Sequence, residues 1–236
     1  MASLIEYTEF FDIQEADGEQ FESTRVDFIT RLKGVLRALD SEEEVVDEVC
    51  AKTWERMTEP QRHYHTPVHV LGMLGYAERA EVTLDVYEAL ALWFHDAIYA
   101  TRTVPGYNES DSAGWMCVML DRLGVPQGLT DQAAEAVRST ARHLEQDVPT
   151  EHHLLMDLDL AGLSASDGSF DRQSRAVRAE MAHMTDAEYA KATIGFFTAL
   201  LKRERIYRTE AFDIYEAIAR RHLHEQIEKL SAHLVA

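Results

Sequence analysis

The stretch Leu84–Tyr99, LDVYEALALWFHDAIY, decides the fold. Apart from Asp85, Glu88, His95 and Asp96 every residue in it is apolar. A run of this length, free of glycine and proline, is too long for an ordinary strand and predicts a helix buried on most of its faces. It falls short of the roughly 18 apolar residues that signal a membrane span. It is therefore the expected central helix of a bundle. His95 and Asp96 stand at its end, where an isolated buried charge would be costly, so both need a partner.

Outward from that helix the 3.6-residue period persists. Residues 22–38 predict a helix with Phe28, Ile29, Leu32, Val35 and Leu36 on one face, and Glu42–Met57 predicts another, closed by Glu59-Pro60. Thr66 is a fitting N-cap and Pro67 a fitting first residue for a helix running to about Arg79. Beyond the loop ATRTVPGYNES, helices are expected near 108–123 and 130–143, around Asp157 and Asp159, and near 170–183, 186–203 and 209–234. Five prolines, eleven glycines and little β-branched alternation leave no linker and no strand pattern, so residues 1–236 predict a single all-α domain.

A net charge of −19 argues against a binder of nucleic-acid polymers, whose affinity rests on clustered Lys and Arg. It leaves room for a small phosphorylated partner, because a bound cation reverses the local field. The acidic N-terminal segment lacks the basic and apolar regions of a secretory signal. Cys50 and Cys117, with no CxxC spacing, point to a reducing cytoplasmic setting and small packed side chains rather than a disulfide. A monomer and an oligomer are both compatible with this composition. Trp54, Trp93 and Trp115 are expected in the core, and His183, His222, His224 and His233 on the surface.

Four residues far apart in the chain form a candidate metal site: His69 in RHYHTPVHV, His95 and Asp96 in ALWFHDAIY, and an aspartate of LLMDLDLAGL. Adjacent residues on a helix lie about 100° apart, so a cation at the shoulder between His95 and Asp96 can bond both. His69, at the start of the preceding helix, can face them from an antiparallel neighbour. The last ligand, Asp157 or Asp159, must arrive through the tertiary fold. Two imidazoles and two carboxylates suit Mn, Fe, Co, Ni, Zn or Mg.

The order H…HD…D on helices resembles the signature of the HD-domain superfamily of metal-dependent phosphohydrolases. The strings RHYHTPVHVLGML, ALWFHDAIY, NESDSA, LLMDLDLAGL and KRERIYRTEAF are similar to those of an uncharacterised bacterial branch of it, over about residues 55–225, with the helices of 20–57 expected to pack on that core. The resemblance implies a helical HD-type bundle that hydrolyses a phosphoester of a small nucleotide-like or phosphorylated metabolite. It implies Asp159 as the last ligand, since many relatives use the second aspartate of an Asp-x-Asp pair. YHTPVHV also resembles the YHNxxHA element of cyclic-nucleotide phosphodiesterases, which makes His69 a ligand and His65 a general acid. Glu109 is a second candidate for proton transfer.

Arg203 and Arg205 in KRERIY are candidate phosphate contacts, because guanidinium matches phosphate bidentately. His143 sits where many HD proteins place a histidine near the site, and is a candidate substrate contact. His63 is expected at the surface or behind the ligands, and His152 and His153 at a helix start. Two alternatives share the fold: a diiron oxygenase, for which no histidine between His95 and His143 supplies extra ligands, and a sensing module that binds without turnover.

Overall fold

The computed structural model describes residues 9–235, and among them every regular element is helical. The sequence reading of residues 1–8 lies outside the described residues. Ten α-helices follow in order: α1 (Gly18–Arg37), α2 (Glu43–Met57), α3 (Pro67–Arg79), α4 (Val86–Phe94), α5 (Tyr107–Arg122), α6 (Gln127–Ser139), α7 (His153–Asp159), α8 (Asp167–Glu180), α9 (Asp186–Leu201) and α10 (Asp213–Val235). The architecture is an all-α bundle. None of the described helices is long and apolar enough to cross a membrane.

Local sequence explains the boundaries. Asp17 caps α1 by accepting from the Gln20 amide at 2.8 Å, so that helix starts four residues before the expected boundary at residue 22. Gly124, with φ of +71°, ends α5. The amides of Gly124 and Val125 return to the carbonyls of Asp121 and Leu120, both at 3.0 Å, and turn the chain into α6.

The core forms where the apolar stripes meet. Phe28, Leu32 and Leu36 of α1 are fully buried, and the Phe28 ring stands edge-on to Trp54 of α2 and Trp93 of α4, with centroids 5.6 and 4.9 Å away. Burying each such side chain contributes about 1.5–3 kcal/mol. This aromatic contact fixes α4 against α1 and α2, and so fixes the end of α4 that carries His95 and Asp96.

That end departs from expectation. The apolar pattern predicts helix through Tyr99, yet α4 stops at Phe94. The carbonyls that another turn would leave bare are taken by side chains instead. Arg62, fully buried, donates to the carbonyls of Asp96 at 2.6 Å, Ala97 at 3.0 Å and His65 at 3.0 Å. Ser112 bonds both the amide and the carbonyl of Ile98, at 3.0 and 3.1 Å. Asn108 does the same for Ala100, at 2.9 and 3.2 Å. With these main-chain groups paired by side chains, the chain can leave the helix at little hydrogen-bond cost.

His222 is a second correction. Expected at the surface, it is buried where α10 crosses α8: its ring stacks on Phe170 at 4.5 Å and its Nδ1 donates to the Leu163 carbonyl at 2.8 Å. Trp54 and Trp93 are buried and Trp115 packs at the edge of the core. Both cysteines are free thiols, and burial pushes that of Cys50 up to about 12, so it is an inert packing group.

Candidate metal centre

Three helices deliver the four side chains to one point. His69 lies in the first turn of α3, His95 and Asp96 follow the last residue of α4, and Asp159 ends α7. The Nε2 atoms of His69 and His95 are 3.3 Å apart. Asp159 Oδ1 is 3.1 Å from the first and 3.6 Å from the second, and Asp96 Oδ2 is 3.8 and 2.9 Å from them. Ligand atoms of His69, His95 and Asp96 all fall within 4.8 Å of one another, and this group could hold a metal ion.

The donor chemistry fits a cation. Asp96 Oδ2 is buried and has no hydrogen-bond partner among the described residues, although His95 Nε2 is near. His95 Nδ1 donates to the Leu92 carbonyl at 2.9 Å, which directs Nε2 inward, the usual way a ligating imidazole is oriented. Bonds of about 2.0–2.2 Å to a divalent ion place neighbouring donor atoms about 3–3.5 Å apart, and the separations here run from 2.9 to 3.8 Å.

The cluster's electrostatics point the same way. Burial works against both carboxylates, yet Asp159 is held well below the usual range by His143, His69 and His95, and Asp96 is held down mainly by His95 and His65. Burial likewise works against the charged form of His95, but Asp96 and Asp159 raise its pKa well above the ordinary value. Anionic carboxylates converging on imidazole nitrogens attract protons, and for the same reason a divalent cation that displaces them.

Asp157 and Asp159 divide their work. Asp157, almost fully buried, accepts from the amides of Arg208 and Thr209 and from the Thr209 hydroxyl, each at 2.7 Å. It anchors α7 to the segment before α10. Asp159 turns to the cluster, and its Oδ2 accepts from His143 Nε2 at 2.8 Å. His143 also lines the cleft, where a substrate contact would stand, and this bond ties it to Asp159.

A cleft of about 430 Å³ opens over the cluster and is lined by His65, Asp96, Glu109, His143 and Asp159. Glu109 faces it from the first turn of α5. His65 is held from behind: its Nδ1 donates to Glu180 Oε2 at 2.6 Å, and its ring stacks on Tyr99 at 4.2 Å. Burial would depress the His65 pKa, but the adjacent Glu180 carboxylate overrides it and raises the pKa to about 9.

Arg203 and Arg205, expected as phosphate contacts, are not among the residues that line the cleft. The Arg203 guanidinium donates to the His143 carbonyl at 3.0 Å. That of Arg205 is engaged by the Thr209 carbonyl at 2.8 Å and by Asp213. His63 turns away from the cleft toward Asp12, 2.7 Å from its Nδ1.

Two site residues escape a sequence reading. Glu180 Oε1 accepts from three consecutive amides, His63, Tyr64 and His65, at 2.8–2.9 Å, while Oε2 takes His65 and the Tyr99 hydroxyl. This five-donor cradle holds the whole HYH segment, and nothing in RAEMAH distinguishes that acid from the other 41. Arg62, next to the histidine motif, joins it to the His-Asp turn. Its position beside the motif was the available signal. No protein-family model matches the chain, and no curated protein is significantly similar to it.

Proposed function

We propose that this protein is an HD-type, metal-dependent phosphohydrolase acting on a small phosphorylated molecule. The observation that carries the reading is Asp96 Oδ2, buried and unpartnered near two imidazole nitrogens in a cleft that His65 also lines. His69, His95, Asp96 and Asp159 would hold the cation. When bound, a divalent ion supplies Lewis acidity to a phosphoryl oxygen and to water. The protein's own contribution is proton transfer and positioning.

His65 keeps its Nδ1 proton on Glu180, so Nε2 is the nitrogen free to face the cleft; it has no hydrogen bond within the described residues. An imidazolium held there gives its proton to the departing oxygen, a role worth roughly 10²–10⁴ in rate. His65→Asn is therefore expected to lower kcat/KM by about that factor on an alkyl phosphate with Mn²⁺. On p-nitrophenyl phosphate, whose leaving group needs no proton, the loss should stay below about tenfold. Phosphate release measured on both compounds tests this; equal losses on both would remove His65 from the acid role. No release from either by the wild-type protein would sink the hydrolase reading.

Glu180 sets the pH range of that acid. Because the His65 pKa is raised above its ordinary 6.5, the contribution of the pair to stability is complete below about pH 6.5 and is lost as pH rises through about 9. Activity should follow the same protonation, with a basic limb. Glu180→Gln keeps an oxygen for the three amides but removes the charge that opposes burial most, leaving only the more distant Asp96 and Asp159 carboxylates to hold the His65 pKa up. The basic limb of kcat/KM should then move to lower pH by at least one unit. An unmoved limb would show that another group titrates there.

A further inference from the structure

α8 and α9 each carry a stripe at helical spacing that would ordinarily be spent on the core. Phe170, Val177 and Met181, along and just beyond α8, and Tyr189, Phe196 and Phe197 of α9 instead line the cleft. The side chains that remain polar on this wall are neutral: Gln173, Ser174, Thr193 and Gln226. No lysine or arginine is among the described residues lining the cleft, and the arginines nearest in sequence to the expected phosphate clamp are spent on main-chain carbonyls and Asp213. The ionisable groups of the lining are Asp96, Asp159, Glu109, His65 and His143, and of these Asp96, Asp159 and His143 stand together at the cluster end.

We propose that the cleft takes a phosphate ester with a single phosphate and an apolar organic group, the phosphate at the carboxylate–histidine end and the apolar group between α8 and α9. This rests on the hydrolase reading and narrows its substrate class. A polyphosphate chain would bring several negative charges into a cleft with no fixed cation beyond one metal and His65, in a protein of net charge −19. An apolar group instead covers Val177, Met181, Phe196 and Phe197, whose side chains line the cleft and are only partly buried. A cleft of this volume lies within the range that encloses a small organic ligand.

The test is calorimetric titration of the Mn²⁺-loaded full-length protein with butyl-, hexyl- and octylphosphonate, whose C–P bond is not hydrolysed, beside a nucleoside triphosphate. Affinity is expected to rise about fourfold per methylene buried, so roughly 250-fold from butyl to octyl, with an increasingly negative heat-capacity change. Phe197→Asp, on the half-buried cleft wall, should flatten the series, and Val177→Asp provides a second variant should the first fail to fold. Affinity independent of chain length, or a nucleoside triphosphate bound more tightly than octylphosphonate, overturns the inference. Phosphate release from octyl phosphate separates the two claims. Tight octylphosphonate binding without release would keep the ligand class and reject the hydrolase, and release without any chain-length dependence would do the reverse.

Discussion

Asp159→Ala is expected to abolish metal retention and to lower phosphate release by on the order of 10³ or more, while Asp157→Ala, two residues away, retains the metal. The losses follow from what each carboxylate touches. Asp159 Oδ1 stands against both imidazole nitrogens, so its removal takes a ligand from the cation and releases His143 as well. Lewis-acid stabilisation is worth several kcal/mol, and each 1.36 kcal/mol is tenfold in rate. Asp157 lies outside the cluster, and its three donors belong to Arg208 and Thr209. Losing it leaves two main-chain amides unpaired, at about 1–3 kcal/mol each, so the variant should unfold at lower urea with its metal still bound. Elemental analysis and urea titration of both variants decide the matter. Metal lost from Asp157→Ala and retained by Asp159→Ala would reverse the assignment.

The second large effect is on stability. Arg62→Leu should cost about 3–5 kcal/mol, the range for breaking a buried charged network by removing one partner. The guanidinium is fully buried, and burial lowers its pKa despite the nearby Asp96 and Glu59 carboxylates, so the group is retained at an electrostatic cost. Its return is structural: three carbonyls from two segments are bound by one rigid fork, which holds His65 and the His95–Asp96 turn in register. Arg62→Lys preserves the charge but not the fork and should recover only part of the loss. Urea unfolding of the metal-free protein measures both; a cost below about 1 kcal/mol for the leucine variant would mean that the turn is held by packing alone.

Why some of this was legible in the sequence and some was not comes down to range. The helices were readable because periodicity is local, and α3 starts at Pro67 and ends at Arg79 as its proline and apolar stripe predict. His95 and Asp96 stood out because ionisable residues are rare within so apolar a run. The end of α4 was misread because it is set by Arg62, Ser112 and Asn108, none of which belongs to the helix they terminate. Glu180 was invisible because its role lies in three amides more than a hundred residues away. Arg203 and Arg205 looked like phosphate ligands because composition shows a guanidinium but not the carbonyls and carboxylate that already occupy it. The cleft between α8 and α9 was not foreseen, since periodicity shows that a face is apolar and not whether a helix or a cleft lies opposite.

The most direct measurement is metal content per chain after Mn²⁺ loading and desalting, in the wild-type protein and in Asp96→Ala. The account predicts about one ion per wild-type chain and essentially none in the variant, because the alanine removes the only described buried carboxylate oxygen without a hydrogen-bond partner. Retention of the same amount of metal by both proteins, or by neither, would contradict a metal centre built on His69, His95, Asp96 and Asp159.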